Sequence, residues 1–431
     1  MIKDNKKIIN AWAFYDWANS AFPLVITAAI FPAFYENVTK SPDGSSIVGF
    51  FGGQIENTVL YSYAFSFSFL VIAFLSPFLS GIADYTGKKR SFMKFFVLLG
   101  TLSCASLFFF DGTNLVLGIF GFVLASIGFN GSLVFYNSYL PEISSPEKMD
   151  KVSARGFSMG YIGSVILLLL NLIFIMNAGR FGLKDSLLPY QIAFLSVSIW
   201  WIGFSQYTFY YLPKSEIIYS KDKHYLLSGF RELKKVWQQL KHLKHLKMFL
   251  LGFFMFSMGV QTVIYMATLF GVKEIHIPTE RLIIAILLIQ FLGVAGAFLF
   301  SRYSKIVGNI NALVTGVLFW ILTCVLSYFI QTETGFFLVA ALVGMLMGGT
   351  QSLARSTYAK LIPKETVDYA SFFSFYEFSE KVAIVIGTAS YGLVEMITGS
   401  MRNSVFGLTL FFALALVFLP MVRMGKLGGN R

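Results

Sequence analysis

Apolar residues along this chain gather into twelve long stretches that are separated by short polar connections. A bilayer core about 30 Å thick requires roughly 20 predominantly apolar residues in each helix that crosses it. The stretches have about that length, and hydrophobic residues occupy 56% of the 431 positions. We therefore predict an all-α integral membrane protein with twelve transmembrane helices. The predicted spans are 11–36, 59–81, 91–111, 113–140, 156–178, 190–212, 248–272, 281–300, 310–330, 335–361, 371–397 and 403–422.

The basic residues are divided unevenly between alternate connections. With the N-terminus placed in the cytoplasm, 27 of the 34 Lys and Arg residues fall in or beside connections on that side. The opposite side receives only Lys40, Arg180, Lys184, Lys273, Arg281 and Arg402. Because cationic connections resist translocation, this bias sets the orientation. We predict a multi-pass protein of a bacterial inner (plasma) membrane, with both termini cytoplasmic.

The formal net charge of +12 is spread over many of these connections. A charge distributed in this way faces lipid headgroups, which argues against a nucleic-acid partner and makes membrane lipids the expected neighbours. Cys104 and Cys324 lie in the middle of different spans, and all four histidines lie in loops. Because no cluster of metal-ligating residues falls within the bilayer, we predict neither a metal site nor a cofactor.

The longest predicted cytoplasmic connection, residues 213–247, separates six spans from six. In its second part, apolar residues repeat at helical spacing and lysines occupy most of the remaining surface, which predicts a basic amphipathic helix at the headgroup interface. This helix is either a tether between the halves or a site for a specific partner or lipid. The predicted organisation is an N-terminal bundle of residues 1–212, the linker 213–247 and a C-terminal bundle of residues 248–431.

Short segments in the two halves correspond to each other in the same order. The corresponding segments are 16–20 with 258–262, 128–132 with 346–350, and 81–90 with 301–305. The first correspondence places Asn19 opposite Gln261 and leaves Asp16 without an acidic counterpart. Parallel six-helix repeats that form a site between them are a known plan of transporters. We therefore predict two pseudo-symmetric six-helix bundles.

The loop after span two has the sequence GIADYTGKKR. It is not a phosphate-binding P-loop, because five residues separate its glycines and a second lysine follows Lys88. It resembles the G-x-x-x-D-x-x-G-[RK]-[RK] signature of the major facilitator superfamily. The resemblance implies that Asp84 contacts the N-terminus of a neighbouring helix, where the helix dipole stabilises a carboxylate. It also implies that the cations Lys88, Lys89 and Arg90 brace a cytoplasmic gate. The second half has Ser301 near the position of the acid, so a weaker contact is expected there.

A narrower resemblance rests on several further segments. They are WAFYDWANS at 12–20, FYNSYLPE at 135–142, VSARGF at 152–157, GGTQSLARS at 348–356 and LIPK at 361–364. Together they resemble the branch of the superfamily that contains the autophagy-related vacuolar amino-acid effluxers and their bacterial relatives. The resemblance covers nearly the whole chain and implies the major facilitator fold, amino acids as substrates and export from the cytoplasm. Members often have an acid before the glycine of span seven, where this chain has Met258, so ion coupling through that acid does not carry over.

Ionisable residues inside membrane spans are costly and are therefore candidates for function. One polar face of span one is formed at helical spacing by Asp16, Asn19, Ser20 and Pro23. We expect this face to look into the bundle interior. Asp16 either pairs with a cation such as Arg355 and holds helices together, or serves gating or coupling, or contacts the substrate.

Span eleven holds three ionisable residues within five positions, Glu377, Glu380 and Lys381. Glu377 and Lys381 are spaced i, i+4 and can neutralise each other along one helix. Glu380 then needs another partner, water or a proton. Arg355 in span ten could be that partner, could clamp a substrate carboxylate, or could extend to the cytoplasmic surface.

Uncharged polar residues complete the predicted substrate-binding or coupling site. Amides and hydroxyls of this kind bridge helices, and they also bind the ammonium and carboxylate groups of a zwitterion without a fixed charge. The candidates in this class are Asn19, Tyr136, Asn137, Gln261, Gln351 and Ser352.

These observations predict a secondary active transporter of small organic solutes, with amino acids indicated by the resemblance. Two bundles would open a midplane site alternately to each side, and protons could be coupled through Asp16, Glu377 or Glu380. The alternatives are a permease for another solute class, such as sugars or peptides, and a non-transporting receptor or scaffold on the same fold. No soluble domain, intramembrane histidine or nucleophile–base pair indicates an enzyme. The expected partners are the solute, lipids and protons, and the expected state is a monomer.

Overall fold

The computed structural model describes residues 3–40, 45–183, 186–213, 225–364 and 366–424. Within these ranges, twelve helices are long and apolar enough to cross a membrane, as the sequence predicts. The helices of the first half are α1 (Lys6–Thr39), α2 (Asn57–Thr86), α3 (Lys89–Phe109), α4 (Leu115–Ile143), α5 (Met149–Met176) and α6 (Leu188–Tyr211). Those of the second half are α7 (Lys244–Ile275), α8 (Thr279–Val307), α9 (Asn309–Phe329), α10 (Glu333–Leu361), α11 (Tyr369–Thr398) and α12 (Met401–Met421). Most helices extend a few residues beyond the predicted spans, since helix continues into the polar headgroup region.

Helix α1 changes its winding in the middle of the membrane. Residues Phe22–Ile30 form a π-helix between the α-helical segments Lys6–Asn19 and Phe31–Thr39. Pro23 and Pro32 have no N–H to donate, so the α-helical hydrogen-bond ladder is interrupted near both ends of this segment. The sequence analysis treated this span as regular helix. The irregular segment begins directly after the turn that carries Asp16 and Asn19.

A short hairpin joins α1 to α2. Its strands, β1 (Ile47–Phe50) and β2 (Gly53–Glu56), pair antiparallel with Val48 opposite Ile55. Phe51 and Gly52 in the turn both have positive φ, at 47° and 80°, as a two-residue type I′ turn requires. The sequence analysis did not include this hairpin, because its strands are only four residues long.

Contacts between helix ends define two faces of the membrane domain. The face at which α1 begins carries most of the predicted cytoplasmic cations, and we call it the basic face. Arg90 at the start of α3 donates there to the backbone carbonyls of Phe209 and Leu212 at the end of α6. At the opposite face, the Nε of Arg402 lies 3.0 Å from Oε2 of Glu274 and so ties α12 to the end of α7.

Within the described residues, the two halves of the chain meet mainly along four pairs of helices. Helix α2 packs against α11, α4 packs against α11, and α5 packs against both α8 and α10. Gly293 of α8 makes one of these approaches possible, because a Cβ there would lie 2.9 Å from the ring of Tyr161 on α5. Interfaces rich in small residues let membrane helices approach closely without a hydrophobic driving force between them.

A helix over Tyr225–His242, which we call the connector helix, lies where the sequence predicts a basic amphipathic helix. Val236 and Leu240 are buried, and the connector helix packs against α2. Residues 214–224 of the predicted linker lie outside the described residues, as do residues 425–431 at the end of the chain.

Candidate functional site

Most of the polar residues that the sequence predicts within the membrane meet in one hydrogen-bonded assembly between the two halves, which we call the central network. Helices α1, α4 and α5 contribute to it from the first half, and α7, α10 and α11 from the second. Its members are Asp16, Tyr136, Asn137, Ser153, Gln261, Ser352, Arg355, Glu377, Glu380 and Lys381.

Arg355 and Asp16 form a buried ion pair at the core of the central network. The Arg355 atoms Nη1 and Nη2 lie 3.3 and 3.4 Å from Oδ2 of Asp16. The same oxygen accepts a hydrogen bond of 2.7 Å from the hydroxyl of Tyr136. Pairing with Arg355 was one of the alternatives for Asp16, and the structure contains it. Arg355 is only 3% exposed, so its extension to the surface is wrong.

The remaining donors of Arg355 are also satisfied. Its Nε donates to Oγ of Ser153 at 2.9 Å, its Nη2 to the Ser153 carbonyl at 2.8 Å, and its Nη1 to Oδ1 of Asn137 at 3.2 Å. The guanidinium carbon lies 4.9 Å from the ring centroid of Trp12 and 4.2 Å from that of Phe157. Cation–π contacts of this kind partly replace the hydration that a buried guanidinium loses.

Ser153 and Gly156 on α5 shape the ion pair, and the sequence analysis did not name either as a site residue. The Ser153 hydroxyl donates 2.7 Å to the backbone carbonyl of Ser352 and thus ties α5 to α10. A Cβ at Gly156 would lie 2.5 Å from Oδ2 of Asp16, so only glycine leaves room for the carboxylate. Their signal in the sequence was the VSARGF segment, which contains both residues.

The three ionisable residues of α11 form the other end of the central network. The Nζ of Lys381 lies 3.2 Å from Oε2 of Glu377 and 2.8 Å from Oε2 of Glu380. Oε1 of Glu377 accepts from the amide of Asn137 at 2.8 Å, and Oε1 of Glu380 accepts from the amide of Gln261 at 2.8 Å. The partners of Glu380 are therefore Gln261 and Lys381, and the contact with Arg355, one of the alternatives that the sequence left open, is not formed.

Two predicted residues lie outside the central network. Asn19 is buried; its Oδ1 accepts a bond from Ser20, while its Nδ2 has no partner among the described residues. Gln351 is half-buried and forms no hydrogen bond within the described part of the chain. Ser352 contributes only its backbone carbonyl, since its hydroxyl donates to its own helix at Gly349.

Two further polar atoms between α5 and α8 have no partner in the described ranges. They are the hydroxyl of Tyr161 and Oε1 of Gln290. A buried polar group without a partner costs free energy, so such groups commonly have a functional explanation. Both lie on helices of the interface between the halves, and sequence reasoning missed them because each stands alone in an apolar stretch.

Asp84 lies at the N-terminus of α11, where the family resemblance implies that it should lie. Its Oδ2 accepts from the backbone N–H of Ser371 at 2.7 Å, and its Oδ1 accepts from the N–H of Ala370 at 3.3 Å. We call this the Asp84 contact. Helix α11 begins at Tyr369, so these N–H groups belong to the first turn, which has no intrahelical acceptors for them.

The three cations that follow Asp84 have different surroundings. Lys89 is buried, pairs with Glu142 at the end of α4, and has its Nζ 5.8 Å from the ring centroid of Tyr369 on α11. Arg90 binds carbonyls at the end of α6, and Lys88 is exposed. Only Lys89 therefore reaches the second half directly. The gating role of these residues stays a prediction.

A corresponding contact in the second half was missed. Asp150 at the start of α5 accepts from Nζ of Lys360 at 2.6 Å, from Nδ2 of Asn309 at 2.8 Å and from Oγ of Ser304 at 3.3 Å. We call this the Asp150 contact. The connection after α8 has no acid near Ser301, but α5, which packs against α8, supplies the carboxylate of Asp150 instead.

The sequence is similar to transporters over most of its length. It matches the profile of the family described as "Vacuole effluxer Atg22 like" over residues 4–427. It is 31% identical to the MFS-type transporter YxiO of Bacillus subtilis over 423 residues, which cover 98% of this chain and 96% of that protein. It is 24% identical to autophagy-related protein 22 of Saccharomyces cerevisiae over 442 residues, which cover 89% of this chain and 81% of that protein.

Solved structures of transporters share the fold at low sequence identity. The human organic anion transporter MFSD10 (TETRAN) superposes with a TM-score of 0.74 at 12% identity, covering 97% of this chain and 100% of that one. FucP, a Major Facilitator Superfamily (MFS) transporter in the outward conformation, gives 0.72 at 12% identity, covering 97% and 99%. The chain thus has the major facilitator fold and belongs to the vacuole effluxer Atg22-like family of MFS-type transporters.

Proposed function

We propose that the protein is a secondary active transporter that moves amino acids out of the cytoplasm by alternating access. Residues 1–212 and 248–431 form the two bodies that rock against each other, and residues 213–247 join them. The basic face is the cytoplasmic face of a bacterial inner membrane, and the protein works as a monomer. The observation that carries the proposal is the central network, which joins the halves through buried charges.

The chemistry of the central network matches a zwitterionic solute. The guanidinium of Arg355 has the planar fork that binds a carboxylate through two parallel hydrogen bonds. Asp16 and Glu380 each have a carboxylate that can accept an ammonium group. A bound amino acid would exchange the ion pair between the halves for bonds to itself, and so its presence would shift the equilibrium between closed and open arrangements.

Neutral groups on three helices of the domain are candidates for the remaining contacts. Among the described residues, Nδ2 of Asn19 on α1, the hydroxyl of Tyr161 on α5 and Oε1 of Gln290 on α8 have no hydrogen-bond partner. Ligand sites in membrane transporters combine a few polar groups of this kind with apolar walls. The family is described as vacuole effluxers, which release solute from the vacuole, and the outward direction across a bacterial membrane stays a prediction.

Proton coupling follows from the charge balance of the central network. Asp16, Glu377 and Glu380 provide three carboxylates, whereas only Arg355 and Lys381 provide cations. Glu377 and Glu380 share Lys381, whereas the cation of Asp16, Arg355, belongs to the other half, so Asp16 loses it when the halves separate and a proton can then neutralise the carboxylate. In Asp16→Asn, we expect transport driven by an imposed pH gradient to weaken strongly, while exchange without a gradient survives. Loss of both activities would mark Asp16 as structural or substrate-binding, and unchanged gradient-driven transport would move the proton to Glu377 or Glu380.

The substrate class is tested with purified protein. A thermal-stability screen against amino acids, sugars, nucleosides and peptides identifies any solute that binds the folded state, since a ligand at 100 times its Kd stabilises by about 2.7 kcal/mol. Counterflow of the labelled solute in proteoliposomes then tests movement. Stabilisation by sugars or peptides alone would make the protein a permease of another class. Stabilisation without counterflow would favour a receptor.

Gln351→Ala is a matched control for the transport assays. Gln351 lies on α10, one turn before Arg355, and forms no hydrogen bond in the described chain. We expect Arg355→Lys to lose most of the counterflow, because a lysine cannot reproduce the fork that binds Asp16, Asn137 and Ser153. Gln351→Ala should retain it. Equal loss of counterflow in the two variants would show that α10 tolerates neither substitution and that the guanidinium geometry of Arg355 is not the cause of the loss.

A further inference from the structure

The connector helix has two chemically different sides. One side is apolar and packed, with Val236 and Leu240 buried. The other side is exposed and cationic, and its described members are Arg231, Lys234 and Lys241. Two aromatic side chains border it, Phe230 at 60% and Trp237 at 48% exposure.

Lys235 joins this helix to the start of α11. Its Nζ lies 3.0 Å from Oδ2 of Asp368, the residue directly before the first turn of α11. The Lys235 side chain is 51% exposed, whereas the Asp368 side chain is 6% exposed. Trp237 supports the junction, with its ring centroid 5.6 Å from that of Phe375 on α11. The buried acid is thus reached by a cation that can also turn towards solvent.

The Asp84 contact is formed at the same place, the start of α11. Asp84 binds the N–H groups of Ala370 and Ser371, two and three residues after Asp368. Both carboxylates therefore lie at one helix N-terminus, where Asp84 binds the N–H groups, Asp368 makes no capping bond, and Lys89 also acts on Asp84. The ammonium of Lys235 offsets the repulsion that the Asp368 carboxylate exerts on Asp84, and its removal leaves Lys89 as the cation that opposes this repulsion.

We infer that the connector helix binds anionic lipid headgroups and that a bound headgroup draws Lys235 away from Asp368, which weakens the Asp84 contact. Exposed cations beside an exposed tryptophan have the composition that places a helix at an anionic membrane surface. The other cations at the helix ends that join the halves cannot respond in this way, since the side chains of Lys89 and Lys360 are 3% and 4% exposed. The composition of the lipid leaflet therefore sets how easily α2 and α11 separate.

Binding is measured first, in nanodiscs of phosphatidylcholine with 0 to about 40% phosphatidylglycerol brominated on its acyl chains. The signal is the fluorescence difference between the wild type and Trp237→Phe, which isolates this tryptophan. We expect quenching to rise with phosphatidylglycerol. Each cation removed in Arg231→Gln, Lys234→Gln and Lys241→Gln should weaken the lipid dependence about fivefold. The matched control is Arg302→Gln with Lys305→Gln, which removes exposed charge from the end of α8.

The effect on the helix junction is measured as a distance. Spin labels at Ser91→Cys on α3 and Val367→Cys before α11, both exposed positions, are placed in a background in which Cys104 and Cys324 are serine. Pulsed dipolar spectroscopy should show a longer distance as phosphatidylglycerol rises. Lys235→Gln should show the longer distance at every proportion of phosphatidylglycerol. The variant that combines Arg231→Gln, Lys234→Gln and Lys241→Gln should keep the shorter distance at every proportion.

Three outcomes would overturn the inference. The first is a wild-type distance that does not depend on phosphatidylglycerol, and the second is a Lys235→Gln variant that responds as the wild type does. The third is an equal shift on adding free inorganic phosphate to phosphatidylcholine discs, which would assign the site to a soluble anion. Neither readout uses a transported solute, so the inference can fail or succeed independently of the proposed substrate.

Discussion

The Asp84 and Asp150 contacts occupy corresponding places in the two halves but are built from different chemistry. Asp84 at the end of α2 accepts hydrogen bonds from backbone N–H groups at the start of α11, and Lys89 is the cation that acts on it. In the second half, the end of α8 has Ser304, and the acid is Asp150 at the start of the opposite helix. Asp150 binds a lysine, an amide and a hydroxyl together.

Pseudo-symmetry thus preserves the place of a contact without preserving which helix supplies its charge. The different chemistry also implies that the Asp84 contact and the Asp150 contact differ in strength. Asp150 and Lys360 are both almost fully buried, so neither is well solvated if the other is lost. Asp84 faces a helix dipole, which contributes less than a buried ion pair. We expect the α2–α11 corner to open more readily than the α5–α10 corner.

The largest expected effect comes from Asp150→Ala, which tests the strength of the Asp150 contact. It leaves Lys360 buried without its carboxylate, and we expect a loss of about 3–5 kcal/mol in stability. The measurement is unfolding in detergent, followed by tryptophan fluorescence. The control is the double variant Asp150→Ala with Lys360→Met, which removes both charges and should recover most of the loss. A double variant as unstable as the single one would show that the ion pair is not the source of the strength.

The second test concerns the charges of α11, which lie between the two corners. Lys381 binds both Glu377 and Glu380, so Lys381→Met alone leaves two carboxylates unbalanced, and Glu377→Gln alone leaves the pair of Lys381 and Glu380. If these three charges only neutralise one another, Glu377→Gln should transport best, and the double variant, which leaves one unbalanced carboxylate, should transport better than Lys381→Met, which leaves two, with a coupling of about 0.5–3 kcal/mol. Transport is compared at equal expression. A double variant without activity would instead assign one of the pair to the solute or a proton.

The third test is Asp84→Ala, with a smaller expected effect of up to about 2 kcal/mol, because this carboxylate forms no ion pair as short as that of Asp150 and its hydrogen bonds go to the N–H groups of a helix start. We expect insertion to be normal, the α2–α11 corner to open towards the basic face, and transport to fall. A cysteine placed at Ala370, which is fully buried, should be labelled faster from that face. Unchanged labelling from both faces would reject the role of Asp84 in closure.

The smallest expected effect comes from Asp4, which braces the loop before Asp150. Partial burial acts to raise the pKa of Asp4, but hydrogen bonds from Ser145 and Lys148 outweigh it and hold the pKa below the usual 3.8. The carboxylate therefore contributes stability above its unfolded pKa, and this contribution is lost as pH falls through the folded value. Asp4→Asn should unfold slightly earlier than the wild type at pH 7, and the difference should vanish below about pH 3. A difference that persists there would have another cause.

The membrane topology could be predicted because each span carries its own signal. Hydropathy alone located twelve helices, since the bilayer requires every spanning segment to be apolar and helical. The π-helical segment Phe22–Ile30 carried no such signal, because Pro23 and Pro32 are also compatible with a kinked α-helix. The four-residue strands after it were too short to stand out.

The candidate site could be predicted in part. Asp16, Arg355 and the charges of α11 are conspicuous, because ionisable groups are rare inside membranes. Asp150 was missed because it lies at a helix start, where an acid is common, and because its partner Lys360 is 210 residues away. Gln351 was included on polarity alone. The polarity of one residue does not show which side of α10 faces the other members of the central network.

The surroundings of Arg355 bear on how the chain assembles during synthesis. An isolated α10 would hold a permanent positive charge several residues inside the bilayer, at a cost of about 3 kcal/mol near a helix centre. All the groups that accept its hydrogen bonds, on Asp16, Asn137 and Ser153, belong to helices that are translated before it. The first half can therefore insert and pack first, so that the groups that bind this arginine are in place before α10 is made. The order of the helices along the chain makes the N-terminal bundle a template on which the C-terminal bundle completes its insertion.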